Sequence, residues 1–349
     1  MKIGIVTQPL KVNYGGLLQN WALQQVLRDL GHDPVTIDAY MEYPKWRYYM
    51  SCAKTAIMRT FGSRKPYPPL SRYGRESYAN TAEFIHRHIS MTRPIKPYTP
   101  DIVERYGLDA LVVGSDQVWR PMYNKSIYDM YLEFAKDLPC RKVVYAASFG
   151  VDHWEYDDEQ TTRCRELAVK FDAVSVREES GVTLCREQLG IDASHVLDPT
   201  LLIDRQRYET LCSNVPVDEE PALVAYCLDP TVDKRRLFEE QALKRGLRLK
   251  LLTAEAKSSL TPQQWLAAFR DANEVITDSF HGTVFSIIFG KPCNIFVNDE
   301  RGASRFQSLF RQLALDTRQD GRLIHLDNTK DTLASQRKSS LDYLRDNLY

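Results

Sequence analysis

"KIGIVTQPLKVNYGGLLQNWALQQVLRDLGHDPVTIDAY", residues 2–40, contains the pattern that decides the fold. An apolar, strand-like segment at 2–7 leads into a glycine turn, and the apolar residues of 17–30 then recur at helical spacing. Gly31 is typical of the position just past a helix, and 34–40 is a second strand-like segment. A strand, a helix and a second strand in this order predict a parallel sheet with covered faces.

The rest of the chain continues this alternation. Its strand-like segments are almost continuously apolar, which suits a sheet that is buried on both faces. They are 109–115, 142–150, 172–178, 194–200, 221–228, 247–253, 273–279 and 292–298, and the helical segments are 158–170, 179–189, 232–245, 261–272, 282–289, 303–313 and 337–348. Thr261 and Pro262 are the expected N-cap and first residue of their helix.

Residues 213–221, "SNVPVDEEP", are polar and proline-bearing, and they predict a linker between domains. We therefore predict an α/β protein with two Rossmann-like domains that face a cleft, at 1–213 and 221–335. The sequence leaves open whether the last helix, within 336–349, crosses back onto the first domain. Ligands of such sheets bind outside the carboxyl ends of the strands, so the cleft is the expected site.

The composition argues against several classes of protein. Of 349 residues, 46 are Lys or Arg and 46 are Asp or Glu, so a global nucleic-acid footprint is not indicated. The seven cysteines form no C-x-x-C pair and have no zinc spacing with His, which favours reduced thiols. There is no apolar signal core, and no apolar run reaches the roughly 18–20 residues that cross a bilayer. We expect a cytoplasmic protein without a metal.

Two motifs of the first predicted domain follow strands. "NYGGLLQN" (13–20) has glycines that allow close backbone approach, and the N–H groups of its helix start could bind an anion, although a ligand-free turn explains it equally. "VVGSDQVW" (112–119) places Ser115, Asp116 and Gln117 at the edge of the cleft. Asp116 is a candidate general base, and capping of the next helix explains it equally well.

Three arginines are candidate anion ligands. Arg177, in "SVREES", comes just after a buried strand, where its guanidinium either pairs with Glu178 or Glu179 or binds a carboxylate or phosphate. Arg301 and Arg305 lie one turn apart if they are helical, so that both could face one anion. Solvated surface arginines are the alternative for this second pair.

"TDSFHG" (277–282) joins a predicted strand to a predicted helix. A nucleophilic pair of Ser279 and His281 is a weak reading, because no acidic orienter is evident in the sequence. Anion capture is the better reading, since Gly282 permits a tight turn and the N–H groups of the first helical turn, through Thr283, are directed at the cleft. His281 can donate both a hydrogen bond and a proton, and a structural histidine is the alternative.

From Lys45 to Arg75, within an excursion at 41–100, the sequence has no acidic residue, and basic residues alternate with Trp, Tyr, Met and Phe. Such a basic, aromatic patch can favour an anionic membrane surface, a sugar-phosphate acceptor or nucleic acid. A mobile loop-and-helix excursion that packs on the first domain is the alternative.

Six motifs in order carry a resemblance to a known family. They are "NYGGLLQNWALQQVLRDLGH", "LVVGSDQVW", "VVYAASFG", "SVREES", "VLDPTLL" and "VITDSFHGTVFSIIFGKP". Together they closely resemble the polysaccharide pyruvyl transferase family, from residue 3 to about residue 313. The segments 41–100 and 230–260 match loosely, and acceptor choice is expected to vary there.

The resemblance implies a GT-B-like fold and a specific chemistry. Phosphoenolpyruvate (PEP) is the implied donor, and the implied acceptor is a sugar diol of a polysaccharide, such as an exopolysaccharide or capsule, or of a lipid-linked precursor. The product is a cyclic pyruvate ketal, phosphate is released, and no metal or nucleotide cofactor is required. An acceptor linked to polyprenyl diphosphate at the inner membrane face, and with it peripheral membrane contact, stays open.

The resemblance associates Arg177 and His281 with the donor site, and Arg301 and Arg305 more loosely. We assign to PEP the set Arg177, Ser279, His281, Gly282, Thr283, Arg301 and Arg305, and to the acceptor the set Asn13, Tyr14, Gly15, Ser115 and Gln117. In this hypothesis His281 protonates either the PEP methylene carbon or the leaving phosphate, and Asp116 deprotonates the acceptor. The alternatives are a GT-B glycosyltransferase that uses a nucleotide sugar and a non-catalytic sugar- or anion-binding module.

Overall fold

The computed structural model describes residues 1–39, 45–61, 67, 79–95, 97–124, 126–228, 230–253, 260–296, 303–320, 323–326 and 332–349. Within these ranges the strands are β1 (Lys2–Val6), β2 (Asp33–Thr36), β3 (Ala110–Val113), β4 (Arg141–Ala147), β5 (Ala173–Val176), β6 (Ser194–His195), β7 (Ala222–Cys227), β8 (Arg248–Thr253), β9 (Glu274–Thr277), β10 (Cys293–Phe296), β11 (Thr317–Asp320) and β12 (Leu323–Leu326).

The helices alternate with the strands, as the sequence pattern predicts. They are α1 (Tyr14–Asp29), α2 (Lys45–Thr60), α3 (Ala79–His88), α4 (Asp101–Tyr106), α5 (Asp158–Ala168), α6 (Glu179–Leu184), α7 (Pro199–Leu202), α8 (Arg205–Leu211), α9 (Val232–Arg245), α10 (Pro262–Asp271), α11 (Phe280–Phe289), α12 (Ala303–Gln312) and α13 (Thr332–Leu348). Thr261 caps α10 through a capping box, with Pro262 at its start, which confirms that prediction.

The first sheet is parallel and has the strand order β2-β1-β3-β4-β5-β6. The strand order reverses at β1, which pairs with β2 on one side and with β3 on the other. Loops that follow the two strands at such a switch point open a crevice at the carboxyl edge of the sheet. The loop that leads into α1 and the loop that follows β3 therefore share that crevice.

The second sheet has the order β11-β12-β10-β9-β7-β8. Its switch point lies between β7 and β9, so the segment that joins β9 to α11 opens at the carboxyl edge of this sheet. β12 runs antiparallel to β10, and β11 runs antiparallel to β12. The sequence did not predict this hairpin, because β11, "TRQD", is polar and fully exposed and has no apolar alternation.

The predicted strand at 194–200 is wrong over most of its length. The strand ends at His195, and Pro199 begins the short helix α7. A proline has no N–H for a strand ladder and suits the first turn of a helix. Asp198 becomes the N-cap of α7 and accepts a hydrogen bond from the Thr200 N–H. This capping position places the Asp198 carboxylate in the crevice of the first sheet.

α1 begins at Tyr14, three residues before the predicted start, so that Gly15 and Gly16 belong to its first turn. The Tyr14 ring stacks on Trp265 of α10, with the ring centroids 5.6 Å apart. One apolar cluster includes Tyr14, Trp265 and Phe285, and thus continues from α1 to α10 and α11. The two sheets therefore share a core, and α1 and α11 approach each other at their N-terminal ends.

The last helix, α13, packs against the first sheet. Its Leu344 and Leu348 are fully buried, and its Tyr343 hydroxyl donates to the Val144 carbonyl oxygen of β4 at 2.9 Å. Ser340 accepts a hydrogen bond from the Leu197 N–H at 3.0 Å. Among the described helices, none combines the length and the apolar character that a membrane span needs.

Candidate active site

The turn from β9 into α11 is held by its own side chains. Ser279 is the N-cap, and its hydroxyl accepts from the Gly282 N–H at 3.3 Å. The Thr283 hydroxyl donates to the Ser279 carbonyl oxygen at 3.2 Å. A Cβ on Gly282 would overlap the Thr277 side chain, so this position requires glycine. The side chains of Ser279 and Thr283 therefore hold the turn in place.

His281 lies at the start of α11 and is buried. Its Nε2 atom is 3.6 Å from Oδ2 of Asp198, outside hydrogen-bond distance. Its Nδ1 edge packs against Gly15, where an added Cβ would overlap the imidazole ring. The first turn of α1 and the first turn of α11 thus meet at His281, and the glycine makes this approach possible.

Asp198 connects the groups of the site. Its Oδ2 atom accepts from Nη1 of Arg177 at 2.8 Å and from the Ser115 hydroxyl at 3.3 Å. Its Oδ1 atom accepts from the N–H and the hydroxyl of Thr200 at 3.0 and 2.6 Å. Burial alone would raise the pKa of Asp198, but His281 first and then Arg177 outweigh it and hold the pKa well below its usual range. The carboxylate is therefore ionised and orients both partners.

Arg177 pairs with residues other than its sequence neighbours. Besides Asp198, its Nη2 atom lies 3.6 Å from Oδ1 of Asp116. Burial opposes its charge, yet Asp198 first, then Asp116 and the more weakly acting Glu178, outweigh this and raise the pKa of Arg177. Glu178 instead accepts from the Ser148 hydroxyl and the Gly150 N–H. The predicted alternative, an ion pair with Glu178 or Glu179, is wrong. The Arg177 guanidinium extends instead to Asp198 and Asp116, at the switch point of the first sheet.

A second arginine approaches the same aromatic ring as Arg177. The guanidinium carbon of Arg177 is 4.5 Å from the centroid of Phe280, and that of Arg305, in α12, is 5.9 Å from it. Burial and then the charge of Arg177 lower the pKa of Arg305 to about 10. The two buried cations repel each other, and a bound anion would stabilise both of them. Arg301 lies outside the described residues.

Asp116 follows β3 with φ of 79°, in the left-handed region that non-glycine residues seldom adopt. Its carbonyl oxygen accepts from the N–H of Ser148 at 3.0 Å and from that of Val118 at 2.7 Å. These bonds hold the strained residue with its carboxylate facing Arg177. Gln117, in contrast, uses its Oε1 atom to accept from Arg120 at 3.3 Å.

The residues assigned to the acceptor separate into two groups. Gly15 and Ser115 adjoin the site, through His281 and Asp198 respectively. Tyr14 is buried, and its hydroxyl donates to the Leu260 carbonyl oxygen at 2.8 Å. Asn13 is exposed at the N-cap of α1, without a capping bond from its side chain. The structure therefore gives Tyr14 a packing role between α1 and the second sheet.

Sequence reasoning did not identify Asp198. "VLDPTLL" belongs to the resemblance, but the strand-like segment 194–200 predicts a position inside a strand for this aspartate. The dipeptide Asp198-Pro199 was the available signal, because Asp followed by Pro is a common start for a helix. Asp198 is a candidate site residue by its position, since it pairs with the buried cation Arg177 and lies 3.6 Å from His281.

A cavity of about 1210 Å³ lies apart from these groups, between α1, α3 and α8. Its wall carries cationic side chains, among them Lys11, Arg28 and Arg207. Neither His281 nor Arg177 lines it. Among the described residues, no group of His, Cys, Asp and Glu side chains is arranged to hold a metal ion.

The protein has two Rossmann-like sheets whose switch points lie at adjoining edges. A buried site of arginine, histidine and carboxylate lies between them. This arrangement defines a GT-B-like α/β protein. The chain belongs to the polysaccharide pyruvyl transferase family, whose model matches residues 13–300. It is therefore a transferase of polysaccharide biosynthesis that acts on a sugar acceptor. No protein of curated function matches the sequence significantly.

Solved structures resemble the chain at low identity. The UDP-GlcNAc 2-epimerase of Methanocaldococcus jannaschii is 13% identical, with a TM-score of 0.43, over 85% of this chain and 84% of that one. The glycosyltransferase SsfS6 of Streptomyces sp. SF2575 is 13% identical, with a TM-score of 0.37, over 100% and 98% of the two chains. Likeness at this level carries no inference about what the chain binds or catalyses.

Proposed function

We propose that this protein transfers the enolpyruvyl group of PEP to a sugar diol, forming a cyclic pyruvate ketal and releasing phosphate. One observation carries the proposal. The buried guanidinium groups of Arg177 and Arg305 lie against Phe280, beside the proton donor His281. PEP carries a phosphate and a carboxylate, and the two arginines together with the α11 N-terminus supply cations and N–H donors for both.

In the proposed reaction, two sugar hydroxyls form bonds in turn to C2 of PEP. His281 donates a proton to the methylene carbon of PEP, and a sugar hydroxyl forms a bond to C2 as Asp116 takes its proton. The second hydroxyl then forms a bond to C2 while the bond from C2 to the phosphate oxygen breaks, and the proton of this hydroxyl leaves with the phosphate. Protonation of the leaving phosphate by His281 is the alternative assignment. Neither step uses a metal or a nucleotide.

The acceptor is a sugar with two hydroxyls close enough to close a ketal ring, carried by a polysaccharide or a lipid-linked precursor. Gly15 and Ser115 adjoin the site on the side of the first sheet. We propose that the acceptor enters from this side, with the donor held by Arg177, Arg305 and the N-terminus of α11. We propose that the reaction takes place in the cytoplasm, where PEP is available.

The direct test is phosphate release from PEP, measured across a panel of free and lipid-linked sugar acceptors, with the ketal located by NMR. Thermal shift with PEP and with UDP-sugars gives a parallel measurement. A ligand at 100 times its Kd adds about 2.7 kcal/mol of stability. Stabilisation by a UDP-sugar and not by PEP would establish a nucleotide-sugar glycosyltransferase instead. Binding of PEP without turnover for any acceptor would leave a binding module.

Replacing Gly15 by Ala should lower the rate of phosphate release about a hundredfold, because the new Cβ would overlap the His281 ring and displace it from the donor. Gly16→Ala is the matched control in the same helical turn. The nearest atoms to its Cβ would belong to the exposed Asn13 side chain, at 3.3 Å, and to Asp116, at 3.6 Å, which is ordinary van der Waals contact. Both variants gain similar helix propensity. Equal rates in the two variants would contradict the contact of Gly15 with His281.

A further inference from the structure

The helix α2 exposes large apolar side chains. Trp46 is 60% exposed, and Phe61, just past the helix end, is 86% exposed. Tyr49, Met50 and Ile57 are exposed to a similar degree. No α2 residue belongs to the hydrophobic clusters of the described core. The apolar residues of this helix therefore do not stabilise the fold by burial within it.

These exposed residues form one stripe along the helix. Positions 46, 49, 50, 53, 57 and 61 recur at the i, i+3, i+4 and i+7 spacing that places side chains on a single helical face. The half-buried residues of α2, among them Ser51, Cys52 and Thr55, lie on the opposite face. The exposed Trp, Tyr, Met, Ile and Phe side chains thus share one face, and the half-buried residues share the other.

The charged residues of α2 all have one sign. Within α2, Lys45, Arg47, Lys54 and Arg59 are basic and no residue is acidic. Arg47 and Lys54 are exposed beside the apolar stripe, at spacings of one residue from Trp46 and four from Met50. In a chain of zero net charge this is a local concentration of positive charge. The apolar stripe and its basic residues together match a partner that has an apolar layer beneath a negatively charged surface.

We propose that α2 and Phe61 form a docking surface for an anionic lipid bilayer. An interfacial helix of this kind lies in the plane of the membrane, with its aromatic and aliphatic side chains below the headgroups and its Lys and Arg residues among them. The surface is tethered to the carboxyl edge of the first sheet, because the chain leaves β2 at Thr36 and begins α2 at Lys45. That edge also carries Asp116 and Ser115. The proposal is independent of the reaction that the site performs.

Trp46 provides the measurement. The other tryptophans are largely buried, Trp21, Trp119 and Trp265 almost fully, so vesicle binding should change the fluorescence of Trp46 above all. We expect a blue shift with vesicles of phosphatidylcholine and phosphatidylglycerol, and a much weaker shift with phosphatidylcholine alone. Sedimentation with the same vesicles gives the bound fraction. Trp46→Phe should remove the spectral change and keep the sedimentation.

Two sets of variants separate the apolar and the ionic contributions. Tyr49→Ser combined with Ile57→Ser should lower partitioning to the mixed vesicles about tenfold or more. Arg47→Gln combined with Lys54→Gln should lower it and weaken its dependence on salt. Leu243→Ser is the matched control, since Leu243 is 83% exposed on α9, outside this surface. It should bind vesicles as the wild type does.

Three results would overturn the proposal. The first is equal binding to vesicles with and without the anionic lipid. The second is a loss of binding in the Leu243 control as large as the loss in the α2 variants. The third is a dimer that the Tyr49 and Ile57 substitutions dissociate, in a protein that does not bind vesicles. The last would make α2 an interface between copies of this chain. Phosphate release with a water-soluble acceptor should be unchanged in the α2 variants, so failure of the docking surface and failure of the proposed reaction are distinguishable.

Discussion

His281→Asn should lower the rate of phosphate release from PEP by about 10²- to 10⁴-fold while the fold remains intact. Asparagine keeps a polar side chain in the space between Gly15 and Asp198, but its amide does not titrate and cannot act as a general acid. Thermal unfolding should stay cooperative, with a lower midpoint, because His281 helps to hold Asp198 in its ionised form. His153→Asn is the matched control, because His153 is exposed and lies outside the site. A His281 variant with a near wild-type rate would exclude this histidine as the proton donor.

The same variant separates the two assignments for the proton. If His281 protonates the methylene carbon, deuterium from heavy water should enter the methyl group of the ketal through this residue, and exchange into the PEP methylene should be lost in His281→Asn. If His281 protonates only the leaving phosphate, exchange should persist while phosphate release slows. Proton NMR of PEP and product, with the acceptor present, distinguishes these outcomes.

Asp198→Ala should destabilise the protein by about 3–5 kcal/mol, because it removes one member of a buried ion pair and deprives Arg177 of its nearest carboxylate among the described residues, with Asp116 more distant at 3.6 Å. Asp204→Ala is the matched control. Asp204 also pairs with an arginine, Arg337 at 2.7 Å, but its side chain is 78% exposed. Such surface pairs contribute about 0–1 kcal/mol. Urea unfolding at neutral pH measures both changes, and similar values for the two variants would contradict the burial argument.

The pH dependence has a definite sign. The pKa of Asp198 is lowered in the folded state, so its contribution to stability is present above the pKa of the unfolded carboxyl, about 3.9, and is lost as the pH falls below it. The difference in stability between wild type and Asp198→Ala should therefore be largest near neutral pH and narrow in acid. A difference that widens as the pH falls would refute this linkage.

Most of the architecture could be predicted because it depends on local pattern. Apolar strands that alternate with amphipathic helices indicate a parallel sheet regardless of long-range contacts. The hairpin of β11 and β12 could not be predicted, since its outer strand is polar and exposed and obtains its structure from pairing with β12. The first turn of α1 was likewise missed, because its two glycines disfavour helix locally and packing of Tyr14 on Trp265 overrides that preference.

The candidate site could be predicted where it depends on the ends of strands. His281, Arg177 and Asp116 each follow a strand, and parallel strands bring such positions to one edge of a sheet. The pairing could not be predicted, since it depends on the direction of side chains that are distant in sequence. Arg177 pairs with Asp198 and Asp116 and not with the glutamates next to it in sequence. Asp198 is in position to pair with it because Pro199 starts a helix and makes Asp198 its N-cap.

The contact of Gly15 with the His281 ring has a consequence for chimeric proteins. Each partner comes from a different sheet, and their separation leaves no room for a side chain at residue 15. A hybrid that joins the first sheet of one relative to the second sheet of another should lose activity wherever this junction no longer fits. The contact of residue 15 with residue 281 thus constrains which segments can be exchanged between members of the family. Segments that lie away from this contact are not constrained by it.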